Sequence, residues 1–92
     1  MEYSVAFTVR FKKDVKRCVK RNYQMPLLDK VMLLLRINGT LPKEYSPHKL
    51  SGNYTGRWEC HIRPDWLLIW KQDEQLRKII LERTGTHSDL FR

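Results

Sequence analysis

Apolar and polar residues alternate over Tyr3, Val5 and Phe7, the two-residue period of a short first strand. From Val9 the period lengthens. Phe11, Val15, Cys18 and Val19 recur at helical spacing as far as about Tyr23, and Thr8 stands ahead of them where its hydroxyl can cap the first turn. The other face of this helix carries Lys12, Lys13, Lys16, Arg17, Lys20 and Arg21, with Asp14 the only acid in the stretch. After a short turn near Gln24-Met25, Pro26 suits the start of a second helix, because its missing amide has no partner there in any case. Leu27, Leu28, Val31, Met32, Leu34 and Leu35 make that helix apolar over a wide arc, and Asn38-Gly39 ends it.

Residues 40–56 hold Pro42, Pro47, Gly52 and Gly56 and read as a long ordered loop, which includes His48. Three strands come next. Residues 57–63 place Trp58, Cys60 and Ile62 on one face and Arg57, Glu59, His61 and Arg63 on the other. Pro64-Asp65 forms a tight turn into Trp66 to Lys71, apolar on both faces as a central strand is. Asp73-Glu74 turns the chain into a last strand from Leu76 to Thr84, succeeded by Gly85 and one expected helical turn. The pattern predicts one α+β domain over residues 1–92. An N-terminal strand precedes an antiparallel helix hairpin packed on one face of a mainly antiparallel four-stranded sheet. The other face, with its cations and His61, is expected to stay open.

Charge sharpens this picture. Eighteen Lys and Arg against ten Asp and Glu give +8, with a pI of about 9.8. Such an excess attracts polyanions: nucleic acid, a ribosome, an acidic protein or an anionic surface. The longest apolar runs, Val31 to Leu35 and Trp66 to Trp70, are five residues each, against about 20 for a membrane span. The opening Met1-Glu-Tyr-Ser lacks the pattern of a secretory signal, so a cytoplasmic location is expected. Cys18 and Cys60 lack metal-type spacing and are expected to be reduced, structural thiols.

The chemistry-bearing residues gather in the second half. His48, His61 and His87 fall on a loop, an outward strand position and the C-terminal segment. Adjacent strand ends of a meander can bring them together with Asp65 and Arg83. RNA cleavage without a metal needs a base for the ribose 2′-hydroxyl, an acid for the departing 5′-oxygen and a cation for the phosphorane. Histidine suits acid or base, and arginine suits the charge. Asp65 can orient a histidine or act as a base itself. Phe91 can stack on an unpaired base. No metal or cofactor is expected: no H-x₃-H or C-x₂-C nucleus is present, nor any phosphate loop or nucleophile elbow.

The segments His48-Lys-Leu-Ser-Gly, Trp58-Glu-Cys-His-Ile-Arg-Pro-Asp-Trp66-Leu-Leu-Ile-Trp70 and Glu82-Arg-Thr-Gly-Thr-His87-Ser-Asp-Leu-Phe91 closely resemble the YafQ toxins, a branch of the RelE/ParE superfamily. The resemblance implies a RelE-like fold and a ribosome-dependent endoribonuclease that cuts mRNA, restrained by a DinJ-like antitoxin with an acidic segment in a hetero-oligomer. It also implies an active site of His48, His61, Asp65, Arg83, His87 and Phe91. His87 is then the general acid, with His48, His61 or Asp65 as base candidates, and Arg83 stabilises the transition state. Arg57 and Arg63 are further candidates for substrate contact, and Trp66 is expected to support the site. The competing expectation is a non-catalytic basic module for RNA or protein, such as a ParE-like gyrase inhibitor.

Overall fold

A computed structural model describes residues 2–91. Strand β1 (Ser4–Phe7) leads into helix α1 (Val9–Lys20) and then helix α2 (Met25–Asn38). Next come a two-residue strand β2 (His48–Lys49), β3 (Trp58–Arg63), β4 (Trp66–Asp73), β5 (Lys78–Gly85) and the short helix α3 (His87–Leu90).

The local signals explain the helix limits. Thr8 caps α1: its hydroxyl accepts from the Phe11 amide at 3.0 Å and donates to the Glu82 carbonyl at 3.0 Å, which ties the helix to β5. The helix stops sooner than the periodicity suggests, at Lys20, because Asn22 turns to φ 62°. Pro26 lies in the first turn of α2, and Gly39 closes it at φ 68° with its amide on the Leu35 carbonyl at 2.8 Å. A side chain at Gly39 would also run into the Tyr3 ring.

The strands form one sheet in the order β1-β5-β4-β3-β2. That is five strands, not four, since His48–Lys49 pairs antiparallel with Trp58–Glu59 inside the expected loop. β1 runs parallel to β5, from Ser4 opposite Lys78 to Phe7 opposite Leu81, and the other pairings are antiparallel. β5 starts two residues later than the pattern suggests, because Leu76 lies in the turn with its amide on Asp73 Oδ1 at 2.9 Å.

The main core lies between the helices and one sheet face. Phe11, Cys18, Leu28, Val31 and Leu35 meet Cys60, Trp66, Leu68, Trp70, Ile79 and Leu81. Both thiols are free and buried, and burial pushes Cys60 up to about 12, so neither serves as a nucleophile at neutral pH. The opposite face is less open than the alternation implies. Leu50 and Tyr54 from the connecting loop and Leu90 from α3 cover Leu67 and Ile69 as a second small core.

Two register shifts redirect side chains, since one extra residue sends every later side chain of the strand to the other face. One lies between Ile69 and Trp70, which pair with Arg83 and Leu81, so Arg83 joins the Ile69 face. The other lies between His61 and Arg63. It takes Arg63 away from the face of His61, and its guanidinium donates to Gln24 Oε1 at 2.8 Å.

Candidate active site

The segment after β5 is too short to hold a helix by itself. It is pinned instead. The Thr86 hydroxyl accepts the Asp89 amide at 3.1 Å, while Asp89 Oδ2 accepts the Thr86 amide at 2.9 Å. Asp89 also receives a two-pronged bond from Arg21, which caps the end of α1, at 2.7 and 3.1 Å, and lies 3.4 Å from Arg17. Arg21 in particular holds the Asp89 carboxyl far below the usual carboxylate range. Gly85, at φ +152°, lets the chain turn here: a Cβ on it would come 2.7 Å from Asp89 Oδ2. The result sets His87 at the end of the sheet.

His87 is oriented by the β3–β4 turn. Asp65 Oδ1 accepts both the His87 backbone amide, at 2.9 Å, and ring Nδ1, at 2.6 Å. A carboxylate only accepts, so Nδ1 carries the hydrogen and Nε2 is left to exchange a proton with a ligand. Those same two bonds hold the Asp65 carboxyl below its ordinary value, the amide first and then the ring. Asp65 is therefore placed to orient the imidazole through Oδ1.

The other rings continue from there. Ring centres are 5.9 Å apart for His87 and His61, 6.2 Å for His61 and His48, and 6.2 Å for His87 and Phe91. Tyr54 meets Phe91 edge-on at 5.4 Å and donates to the Leu90 carbonyl at 3.1 Å. Three partly exposed imidazoles thus line an arc that ends in an aromatic wall. Trp66 is buried, 3% exposed, with its indole N–H on Thr84 Oγ1 at 2.9 Å.

Two residues to which the sequence alone assigns no role do conspicuous jobs here. Glu59, 4% exposed, places Oε1 3.1 Å from His48 Nε2 and 3.8 Å from His61 Nε2. On its other side His48 Nδ1 lies 2.7 Å from the Ser46 carbonyl, so the ring is held between the loop and Glu59. Glu59 shares the outward strand face with His61 in the alternation, which is its one visible signal. Asp14, 2% exposed, accepts from Arg83 Nε at 2.7 Å, Arg83 Nη2 at 3.3 Å and the Thr84 amide at 3.1 Å. Its position on the stripe of Phe11 and Cys18 is the signal that marks it as inward-facing.

The structure thus brings His48, His61, Asp65, His87 and Phe91 together, with Glu59 and Tyr54 added. Arg83 stands apart from the rings, in a cleft it shares with Tyr54 and Leu90, and Asp14 keeps it firmly protonated. Arg57 is on the same sheet face but bonded to Glu82 at 2.9 Å. Arg63 lines a separate cleft with Tyr23, Gln24 and Asp65. Among the described residues no group of three or more His, Cys, Asp or Glu is arranged to hold a metal ion.

A small basic α+β fold bearing clustered histidines and a fixed carboxylate–imidazole pair defines a class: compact proteins equipped for acid–base chemistry beside a polyanion. The profile of the family described as YafQ, bacterial toxin of type II toxin–antitoxin systems, matches residues 3–92. The mRNA interferase toxin YafQ of Escherichia coli K12 is 40% identical over 93 residues, covering 99% of this chain and 98% of that protein. The crystal structure of YafQ from E. coli BL21(DE3) superimposes with a TM-score of 0.89 at 38% identity, covering 99% of this chain and all of that one. YafQ in the E. coli DinJ–YafQ toxin–antitoxin complex gives 0.87 at 38% identity, with both chains covered in full. The chain belongs to the YafQ family of bacterial type II toxins, as the motifs in its second half imply.

Proposed function

We propose that residues 1–92 act as one domain, the toxin of a type II toxin–antitoxin pair, and that it is an endoribonuclease cutting mRNA on the ribosome in the bacterial cytoplasm. Its curated relative is an mRNA interferase, and the observation that carries the mechanism is the 2.6 Å bond from His87 Nδ1 to Asp65 within reach of two further imidazoles. In this reading one of His48 and His61 removes the 2′-hydroxyl proton, and the 2′-oxygen attacks the adjacent phosphorus. His87, held by Asp65, gives its Nε2 proton to the 5′-oxygen as the P–O bond breaks. The products are a 2′,3′-cyclic phosphate and a 5′-hydroxyl, and no metal is required. Phe91 stacks on a base, and Arg57 steers the flanking strand, a part in which Arg63, turned into the separate cleft with Gln24, does not share. Arg83 is proposed to meet charge on RNA drawn to its own cleft; Asp14 takes Nε–H and one Nη2 hydrogen, which leaves the other guanidinium hydrogens for an RNA oxygen.

The partner is proposed to be a DinJ-like antitoxin whose acidic segment masks the +8 surface in a hetero-oligomer, as E. coli YafQ is paired with DinJ. The gyrase-inhibitor alternative has no support from these relatives, which are named as mRNA interferases. The test is cleavage of mRNA in programmed ribosomes with EDTA present. His87→Gln is expected to lower the rate by roughly 10²–10⁴ while leaving the fold intact. A variant that cuts at the parent rate would remove His87 from the reaction, and a parent that cuts nothing would leave a binding module.

A further inference from the structure

Beside Tyr54 and Leu90, and lined by none of the three histidines, lies a cleft of about 700 Å³ whose walls are Arg10, Lys13, Arg17, Arg83, Asp14 and Asp89 together with Val9, Tyr54 and Leu90. Its volume is in the range of about 300–1,000 Å³ usual for ligand clefts. Its charges are not balanced. Asp14 is bonded to Arg83 and the Thr84 amide, and Asp89 to Arg21 and the Thr86 amide, so both carboxylates are already occupied from within the protein. Arg10 and Lys13 are exposed and engage no carboxylate among the described residues. Both sit at the start of α1, whose first turn contains no acid. The helix dipole disfavours cations there, so this placement suits an anion supplied from outside.

We infer that this cleft is a second RNA subsite, in which Arg10 and Lys13, with Arg17 beside them, hold one backbone phosphate beyond the scissile one while the attached nucleotide lies against Tyr54. The inference rests on the proposed nuclease reading. The two sites share a wall: Tyr54 lines the cleft and also meets Phe91, which meets His87. A strand leaving the histidine arc therefore has a cationic cleft next to the aromatic wall, the combination that single strands use. A mixed lining of cations, an aromatic ring and the apolar Val9 and Leu90 fits a nucleotide better than an acidic peptide, which offers no base to stack.

The test measures binding of a short, uncleavable 2′-O-methyl single-stranded RNA to the purified protein over a range of salt, without any cleavage readout. Arg10→Ala/Lys13→Ala is expected to weaken binding at low salt and to make the slope of log K against log salt shallower by about 0.7, one phosphate contact. The charge-keeping Arg10→Lys/Lys13→Arg is expected to behave as the parent, which separates contact from fold. Lys12→Ala/Lys16→Ala, on the same helix but outside the cleft, is expected to leave the slope nearly unchanged. Equal loss in both alanine pairs would mean general attraction and overturn the subsite. So would an unchanged slope in the cleft pair, absence of salt-dependent binding by the parent, or loss confined to an acidic peptide offered in place of the RNA. Cleavage by the parent on ribosomes is measured separately, so failure of the nuclease reading and failure of the subsite are told apart.

Discussion

Replacing Asp14 with Asn tests how far one buried carboxylate organises both the fold and the site. In the parent, Oδ2 accepts Arg83 Nε at 2.7 Å and the Thr84 amide at 3.1 Å, and Oδ1 accepts Arg83 Nη2 at 3.3 Å. Asparagine keeps one oxygen and turns an NH₂ group toward the guanidinium or the amide. Removing one partner of a buried ion pair costs about 3–5 kcal/mol. Arg83 lines a cleft that water reaches, and the retained oxygen recovers about 1 kcal/mol. The net loss is then about 2–4 kcal/mol, which in a domain of this size lowers Tm by roughly 8–32 °C. Urea unfolding of parent and variant measures it directly. The double change Asp14→Leu/Arg83→Met removes both charges and is expected to recover most of the lost stability, though not the cleavage. A single variant within about 0.5 kcal/mol of the parent, inside the spread of ordinary surface changes, would refute this account of the pair.

Other consequences arise from the same contacts. Gly85→Ala sets a Cβ against Asp89, and is expected to cost about 1–3 kcal/mol in melting experiments and to reduce cleavage by displacing His87. Asp65→Asn keeps an acceptor for the His87 amide but removes the charge behind its ring; the cleavage rate should fall by roughly ten- to a hundredfold, less than for loss of His87 itself, and parent-like turnover would sink the orienting role. The depressed Asp89 carboxyl makes a pH prediction. Its folded value lies below the ordinary 3.8, so its contribution is complete above that value and is lost only as pH falls well beneath it. NMR shifts of Leu90 should therefore stay native at pH 4 and change in stronger acid; a midpoint near the ordinary carboxylate value would contradict the Arg21 anchor.

Much of the scaffold is legible in the sequence because its signals are local. Thr8, Pro26 and Gly39 each act within one turn of helix, and Pro64-Asp65 fixes a hairpin between two strands that alternate or run apolar as their burial demands. The three histidines are legible as chemistry, but their meeting depends on the meander bringing loop, strand and terminal turn to one end. The rest needs tertiary detail. Alternation cannot register an extra residue at Ile62 or Glu82, so it gives no sign that Arg63 and Arg83 change face. Asp14 falls on the inward stripe, but what it does there is not legible because its partner lies 69 residues away. Glu59 reads as one polar residue among several because its value lies in two rings delivered by other parts of the chain.

The parallel pairing of β1 with β5 has a bearing on how activity is acquired. Strand β5, which leads directly into the histidine-bearing turn, is flanked by β4 from its own hairpin and by β1 from more than 70 residues earlier. The hairpin can form quickly from neighbouring residues, whereas docking of β1 must wait for a long loop to close. Thr8, just past that distant strand, then fastens α1 to β5, and the residue that caps the far end of α1 is the arginine that pins the histidine-bearing turn. The histidine-bearing turn is therefore expected to be fixed late in folding, with the edge of β5 left open in a chain whose first strand has not yet docked.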